Sequence, residues 1–217
     1  MENNNALQIG YFFPTAIGIC NNLLSFDELE KLQQVCKNLK ETVSNSVNTH
    51  WLSGAQSPFN TINTYNIIND ANFNNLNLCV NNKVTEFALH HSDSGNYFCK
   101  NAWLNVYGEN EYQEPHIHCA PYVYSAVFYV NASDEAGLFV VQSPFNHTQI
   151  EENHISPNML NETKRWWKPQ SNMLIIFKST LNHYTTPNHG SRTSIAFNYK
   201  CYFGDDGTIQ EPQPDIN

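Results

Sequence analysis

Residues 122–142 read YVYSAVFYVNASDEAGLFVVQ, and this stretch decides the fold class. It contains two short runs rich in Val, Phe and Tyr, which are residue types that favour β-strands. Between the runs lie Asp134 and Gly137, residue types that favour turns. Similar runs, separated by Gly and Pro, recur at residues 97–107, 172–179 and 192–202. Short strands at this spacing are typical of an all-β sandwich or barrel.

The segment before Gly95 follows a different pattern. Ser25 followed by Glu28 is a capping-box signature, and apolar residues then recur at helical spacing, so we predict a helix over residues 26–43. The same spacing predicts a second helix over residues 72–91.

These elements predict two helices packed on a double-sheet β core in a single domain over residues 1–217. Residues 1–95 form the helical and strand support, with an opening strand over residues 7–19. Residues 96–203 form the β core, and residues 204–217 form a mobile acidic tail.

The composition excludes several functions. The chain of 217 residues is 41% hydrophobic, so it can bury a core, and its formal net charge is −9. A net negative charge argues against binding to nucleic acid or to an anionic membrane surface. No run of about 18 apolar residues occurs, and the six cysteines lack CxxC spacing. We therefore expect reduced thiols in a cytoplasmic protein, or in the host cytoplasm if the protein is viral.

Three of the nine histidines have a spacing that suggests metal binding. His116 and His118 are two residues apart, and side chains at i and i+2 of an extended segment point to the same face. His183 follows a run of apolar residues at 173–177 and precedes Arg192 by nine residues. A lone HxH is a weak signal on its own. We expect a hairpin over residues 185–191 to place His183 and Arg192 on adjacent strands.

Arg192 and Ser194 share one face of the predicted last strand. An arginine among apolar residues needs a counter-anion, because an unpaired buried charge is costly. Two partners remain open from the residues alone: an acidic side chain of the protein, or the carboxylate of a ligand held by two parallel hydrogen bonds.

The order of these residues resembles the Fe(II)/2-oxoglutarate-dependent dioxygenases, and specifically their prolyl-hydroxylase-like subgroup in bacteria and phages. An HxH pair is followed by a histidine 65 residues later, then by Arg at +9 and Ser at +11. The resemblance covers residues 97–202. It rests on WLNVYG at 103–108, the histidine pair, FYVN at 128–131 and residues 174–197.

The resemblance implies a fold and a chemistry. The fold is mostly β with supporting α-helices, a double-stranded β-helix of the jelly-roll or cupin-like class. The enzyme is a hydroxylase that acts on an unactivated C–H bond and releases succinate and CO2. Its cofactors are Fe(II), the cosubstrate 2-oxoglutarate and O2, with ascorbate as a candidate reductant. The iron ligands would be His116, His118 and His183. The residues that would bind the cosubstrate are Arg192, Ser194, Tyr129, Tyr107 and Tyr124.

The sequence departs from the wider family at one ligand. The usual triad has two His and one carboxylate, and the carboxylate position is here His118. Glu114 lies two residues before His116 and is a candidate substitute. Cys119 should point away from the histidines in a regular strand.

Two other readings stay open: a three-histidine cupin-like metalloprotein without 2-oxoglutarate, and a non-enzymatic jelly-roll structural or binding protein. The substrate is a small molecule or a peptide, and the acidic net charge favours a cationic or neutral one. Tyr122, Tyr124, Trp166 and Trp167 are candidates for an aromatic mouth, although ordinary packing is favoured for the tryptophans. The oligomeric state is open, with a homodimer included.

Overall fold

A computed structural model describes residues 15–46, 57–91, 93, 95–144 and 162–202, and the structural statements that follow concern these residues. They form two α-helices, two 3-10 turns and ten β-strands. The helices are α1 (Phe26–Thr42) and α2 (Asn74–His90), and the 3-10 turns are Ile67–Asn69 and Ala71–Phe73. The strands are β1 (Ile17–Asn21), β2 (Phe59–Asn60), β3 (Asn96–Tyr107), β4 (Gln113–His116), β5 (Tyr122–Ala132), β6 (Phe139–Gln142), β7 (Lys164–Trp167), β8 (Met173–Lys178), β9 (His183–Thr185) and β10 (Arg192–Tyr202).

The strands form two antiparallel sheets. The larger sheet has the order β1-β8-β5-β10-β3-β2, and the smaller has the order β4-β9-β6-β7. The last strand along the described chain, β10, is therefore central, because it pairs with β3 on one side and β5 on the other. The predicted class, mostly β with supporting helices in a double-stranded β-helix, is confirmed.

The large sheet is buried on both faces. In β8, Leu174 and Ile176 point into a core shared with the helices, whereas Met173, Ile175 and Phe177 point into a second core between the two sheets. Alternation of side chains along a strand explains this division. It also explains why β8 is apolar at every position from Met173 to Phe177 rather than at every second one.

The helices cover the outer face of the large sheet. Ser25 caps α1 as the sequence predicts, with Glu28 completing the capping box, and the helix ends at Thr42. Leu32 of α1 and Val84 of α2 lie in the same core as Phe197 of β10. The shared core supports the proposal that support and β core form one domain.

Some sequence predictions differ from the structure at the margins. The runs predicted as strands over 97–107, 122–131, 137–142, 172–179 and 192–202 are found close to these bounds. The sequence predicts β4 and β9 only as extended segments around the histidines, and it does not predict β7, which has four residues. The predicted opening strand appears only as β1, and its earlier part lies outside the described residues, as does the predicted acidic tail.

Two expectations from composition can be compared with the structure. All six cysteines are free thiols, as expected from their spacing. Across the described part of the chain, no helix has the length and apolar character needed to span a membrane.

Candidate metal centre

Three imidazole rings meet at one end of the space between the sheets. His116, His118 and His183 each offer one ring nitrogen, and these atoms lie within 4.8 Å of one another. The ring centroids of His116 and His183 are 4.3 Å apart, and His118 lies 5.2 Å from each of them. Imidazole nitrogens suit Fe(II) among other divalent metals, so the donor set fits a metal ion.

Strand pairing and one backbone contact bring these rings together. His116 and His183 are direct partners in the β4–β9 pair. His118 lies beyond the end of β4, and its backbone N–H donates to the carbonyl oxygen of Ser179 at 2.8 Å. The two histidines of the HxH pair therefore converge, but only the first belongs to a strand.

Backbone carbonyls set the orientation of two of the rings. Nδ1 of His183 lies 2.9 Å from the carbonyl oxygen of Leu181, and Nδ1 of His116 lies 2.7 Å from that of Glu114. A carbonyl only accepts, so Nδ1 carries the proton in both rings and Nε2 keeps its lone pair for a metal. In His118, Nδ1 faces the side-chain nitrogen of Asn198 at 3.0 Å instead.

Burial keeps the three rings neutral. Desolvation lowers the pKa of His116. It lowers the pKa of His118 to about 4, with a further contribution from His116. Burial, together with the other two rings, holds the pKa of His183 well below its usual range. A metal ion requires neutral imidazole, so at neutral pH no proton has to be removed before binding.

The lowered pKa values predict how metal-free protein responds to acid. An unfolded histidine titrates near 6.5, above the folded values, so below about pH 6.5 the unfolded chain binds more protons. The free energy of unfolding should therefore fall as pH falls, by up to about 1.4 kcal/mol per pH unit for each histidine. Urea unfolding at pH 7.5 and pH 5 measures this. The double variant His116→Gln, His118→Gln should show a clearly smaller fall; an equal fall would contradict the assignment.

Arg192 lies fully buried without an acidic partner among the described residues. It is 1% exposed, and its Nη1 donates to the carbonyl oxygen of Gly137 at 2.9 Å. The guanidinium carbon is 4.4 Å from the ring centre of Tyr107 and 5.3 Å from that of Tyr129. Its Nε has no hydrogen-bond partner in the described structure. A buried guanidinium in this state fits an anionic ligand.

The prediction that a hairpin places His183 and Arg192 on adjacent strands is wrong. β9 belongs to the small sheet and β10 to the large one, so the chain crosses between sheets and the two side chains line the same cavity from different sheets. Buried Asn188 stabilises this crossing with two hydrogen bonds. Its Nδ2 donates to the carbonyl oxygen of Gly108, and its Oδ1 accepts from the backbone N–H of Gly137. A Cβ on Gly137 would overlap the carbonyl oxygen of Thr186, so this close approach requires glycine.

The other predicted cosubstrate residues divide into two groups. Tyr107 and Ser194 line the cavity with Arg192, and Tyr129 is buried against the guanidinium. Tyr124 is placed elsewhere: its ring lies in the core beneath the helices, and its hydroxyl donates to Asp93. The expectation that Tyr124 lines the pocket is therefore not met, because it points to the opposite face of β5.

Glu114 and Cys119 do not join the group of possible ligands in the described structure. The register of β4 shifts between Gln113 and His116, so the regular alternation that would align Glu114 with His116 is broken. Glu114 instead lines an outer cleft, and Cys119 is exposed.

This placement predicts different results for two substitutions. Glu114→Gln should bind Fe(II) normally, because its carboxylate lies outside the ligand group, whereas His118→Ala should not bind it. Anaerobic titration of Fe(II) against a chromophoric chelator measures both affinities. Iron loss in Glu114→Gln with normal binding in His118→Ala would reverse the assignment.

Two adjacent spaces serve the site. The inner cavity contains about 30 Å³ of space and is lined by the three histidines and Arg192, so any occupant lies in contact with its walls. The outer cleft is far larger, about 460 Å³, and opens beside His116 and His118. Trp103 and Asn105 line both, so the two spaces are neighbours.

The structure adds polar residues that the sequence reasoning missed. Asn198 contacts His118, Ser125 contacts Asn198, and Asn105 has a buried Oδ1 without a described hydrogen-bond partner. Asn198 lies four and six residues after Ser194 and Arg192 in one strand. Counting every second residue of β10 would therefore have placed it on the same face.

The predicted aromatic mouth is only partly present. Tyr122 lines the outer cleft. Neither Trp166 nor Trp167 is among the described residues that line it, and Trp167 packs against Phe139 of the core, as ordinary packing predicts. Trp103, which the sequence reasoning did not select for this role, lines the cleft instead.

One family model matches the part of the chain that carries this site. Residues 101–198 match the model of a family described as "Putative 2OG-Fe(II) oxygenase". No curated protein is similar enough in sequence to count as a relative.

Similar folds occur in several solved structures. One is a Pseudomonas putida prolyl-4-hydroxylase, with TM-score 0.64, 11% identity and coverage of 86% of this chain and 93% of that one. Another is HygX from Streptomyces hygroscopicus with nickel, 2-oxoglutarate and hygromycin B bound. Its TM-score is 0.59 at 12% identity, and the match covers 86% of this chain and 83% of that one. A third is a viral collagen prolyl hydroxylase from Paramecium Bursaria Chlorella virus-1 in a 2-oxoglutarate complex. Its TM-score is 0.53 at 13% identity, and the match covers 85% of this chain and 95% of that one.

Proposed function

We infer that this chain, a member of the 2OG-Fe(II) oxygenase family over residues 101–198, holds Fe(II) between His116, His118 and His183 and oxidises an organic substrate in its outer cleft. The observation that carries this proposal is the juxtaposition of a neutral three-histidine cluster with a buried, acid-free arginine along one cavity. A metalloprotein without a cosubstrate would leave Arg192 without a role.

Arg192 is the proposed anchor for the far carboxylate of 2-oxoglutarate. Its unpartnered Nε and its aromatic neighbours Tyr107 and Tyr129 support this role. Ser194 lies two residues along the same strand face and adds a hydroxyl donor. Because Arg192 and the three histidines line one cavity, a dicarboxylate bound to the metal through one end would have its other carboxylate available to the guanidinium.

The chemistry then divides between the metal and the protein. When bound, Fe(II) with 2-oxoglutarate and O2 supplies the power to oxidise an unactivated C–H bond, with succinate and CO2 as co-products. The protein orients the cosubstrate through Arg192 and excludes bulk water through the apolar walls formed by Val127, Phe139 and Phe177. Hydroxylation of the substrate is the proposed outcome.

The outer cleft suggests the charge of the substrate. Among the described residues that line it, Glu114 is the single side chain with a formal charge at neutral pH, and no Lys or Arg is present. Carboxamides and aromatic or apolar groups supply most of the remaining lining: Asn60, Asn101, Asn105, Asn198, Gln113, Pro58, Ile62, Trp103, Ile117 and Tyr122. A neutral or cationic small molecule or peptide with hydrogen-bonding groups fits this lining better than a polyanion.

A reducing compartment is part of the proposal. Free thiols and an iron that must stay Fe(II) both favour the cytoplasm. Ascorbate is the proposed reductant for turnovers in which no substrate is oxidised.

Iron-dependent turnover of 2-oxoglutarate tests the function. Protein purified without oxygen and supplied with Fe(II), 2-oxoglutarate and O2 should release succinate and CO2 in equal amounts, and ascorbate should prolong the reaction. The metal-free protein and a His116→Ala variant are the matched controls. Succinate formation that is independent of iron, or absent despite bound iron, would contradict the proposal.

A further inference from the structure

We propose that Asn198, backed by Ser125 and Ser179, is a positioning residue that sets which nitrogen of His118 carries the proton and so prepares this ring to bind metal. The inference rests on the proposed function, because it assumes that His118 is a metal ligand. It concerns Asn198, which also lines the outer cleft, and two buried serines that the proposed reaction does not otherwise use.

The three side chains form one hydrogen-bonded chain behind His118. Asn198 Nδ2 lies 3.0 Å from His118 Nδ1, and Asn198 Oδ1 accepts from Ser125 Oγ at 2.8 Å. Ser125 Oγ lies 2.9 Å from Ser179 Oγ, and because the Ser125 hydroxyl already donates to Asn198, Ser179 is the donor in this arrangement. Asn198, Ser125 and Ser179 are 3%, 2% and 0% exposed, so water does not compete for these contacts.

This contact differs from those of the other two histidines. His116 and His183 donate Nδ1–H to backbone carbonyls, which fixes Nε2 as the free nitrogen. His118 instead faces a carboxamide, which can present either a donor or an acceptor. With Nδ2 facing it, Nδ1 accepts, and a neutral ring then carries its proton on Nε2 and has no lone pair there for a metal.

Rotating the Asn198 carboxamide by half a turn exchanges donor and acceptor along this series of hydrogen bonds and keeps every contact. Asn198 Oδ1 then accepts from His118 Nδ1–H, Nδ2 donates to Ser125 Oγ, and the Ser125 hydroxyl donates to Ser179 Oγ. A serine hydroxyl can both donate and accept, so the contacts between Asn198, Ser125 and Ser179 can run in either direction. A metal ion on Nε2 selects the reversed direction, because only that direction leaves Nε2 unprotonated. The backbone carbonyl oxygen of Ser179 also accepts the His118 backbone N–H. Ser179 therefore holds both the backbone at His118 and the end of the series of hydrogen bonds.

Substitutions of Asn198 separate this role from simple packing. Asn198→Asp keeps the shape and presents only acceptors, so it should hold Nδ1–H and bind metal at least as tightly as the wild type. Asn198→Leu has similar size without polar atoms and should weaken binding by about 10- to 100-fold, the usual effect of losing a partner behind a ligating histidine. Ser125→Ala should give a smaller loss in the same direction. Asn38→Asp, on the exposed face of α1, is the control for added charge.

The experiment uses full-length protein with Zn(II) as a diamagnetic probe and Fe(II) for affinity. Nitrogen-15 NMR of the histidine rings, with His118 assigned by its loss in His118→Ala, should show the proton on Nδ1 in the zinc-bound wild type. A proton on Nε2 of His118 in that form would overturn the proposal. So would an affinity of folded Asn198→Leu within twofold of the wild type, or weaker binding by Asn198→Asp than by Asn198→Leu. If the wild type itself binds neither metal at the histidines, the proposed function fails first.

Discussion

The His183→Ala variant is expected to lose Fe(II) binding by more than about 100-fold, beyond the range seen when only a partner behind a ligand is removed. His183 is the most buried of the three histidines, at 5% exposed, and its ring packs 4.6 Å from Phe177 and 5.8 Å from Phe139. Loss of one of three nitrogen donors leaves two imidazoles and opens the site to water. Anaerobic Fe(II) titration with a competing chelator measures the change.

The burial of His183 also requires a control for folding. Truncation to alanine leaves a cavity in the core between the sheets, and cavities in such positions cost stability. His116→Ala is the matched variant, because His116 is only partly buried and its loss should remove iron binding with a smaller effect on unfolding. If a folded His183→Ala protein bound iron with unchanged affinity, the three-histidine assignment would fail.

Replacing Arg192 is expected to raise the 2-oxoglutarate requirement by about 10- to 150-fold. Losing a charge-assisted contact in a desolvated pocket costs about 1.5–3 kcal/mol, and about 1.4 kcal/mol corresponds to a factor of ten. Arg192→Ala and Arg192→Met should both show the loss, and Arg192→Lys should not restore full affinity because an ammonium cannot make two parallel bonds. Iron affinity should change little, since Arg192 is not a ligand. Ser194→Ala should weaken 2-oxoglutarate binding less.

The stability of Arg192→Met distinguishes a ligand-binding arginine from a structural one. The guanidinium has no acidic partner in the described chain, so an apolar side chain of similar length should leave the 2-oxoglutarate-free protein as stable or more stable. 2-Oxoglutarate should raise the melting temperature of the iron-loaded wild type but not of this variant. A marked loss of stability without ligand, together with unchanged affinity for 2-oxoglutarate, would indicate a structural role for Arg192.

Strand periodicity predicts which residues of one strand share a face, and it predicts nothing about which strands pair. Alternation placed Arg192 and Ser194 on one face of β10, and the structure shows both lining the inner cavity. It could not choose a face for β5, because that strand is apolar on both sides. Tyr124 and Tyr129 are five residues apart and therefore point in opposite directions, one toward the helices and one toward Arg192.

The remaining errors concern pairing over long distances in the sequence. The crossing between β9 and β10 resembles a hairpin loop in sequence, since turn residues such as Asn188 and Gly190 serve both purposes. Which sheet each strand joins is decided by partners far along the chain: β9 pairs with β4 and β6, and β10 pairs with β3 and β5. The shift in β4 that displaces Glu114 coincides with Pro115, whose missing N–H interrupts strand pairing, but the alternation of side chains alone does not take this into account.

The central position of β10 has a consequence for how the protein assembles. The strand is the last of the ten in chain order, yet it lies between β3 and β5 in the sheet, so both strands lack a neighbour on that side until β10 pairs with them. A chain that has reached only residue 190 during synthesis exposes two open strand edges, which are prone to aggregate. Pairings this distant also slow folding, because the intervening chain must be closed into loops first. Arg192 and Asn198 lie on that strand, so the pocket is completed in the same late step that closes the sheet, and partly folded chains should bind no 2-oxoglutarate.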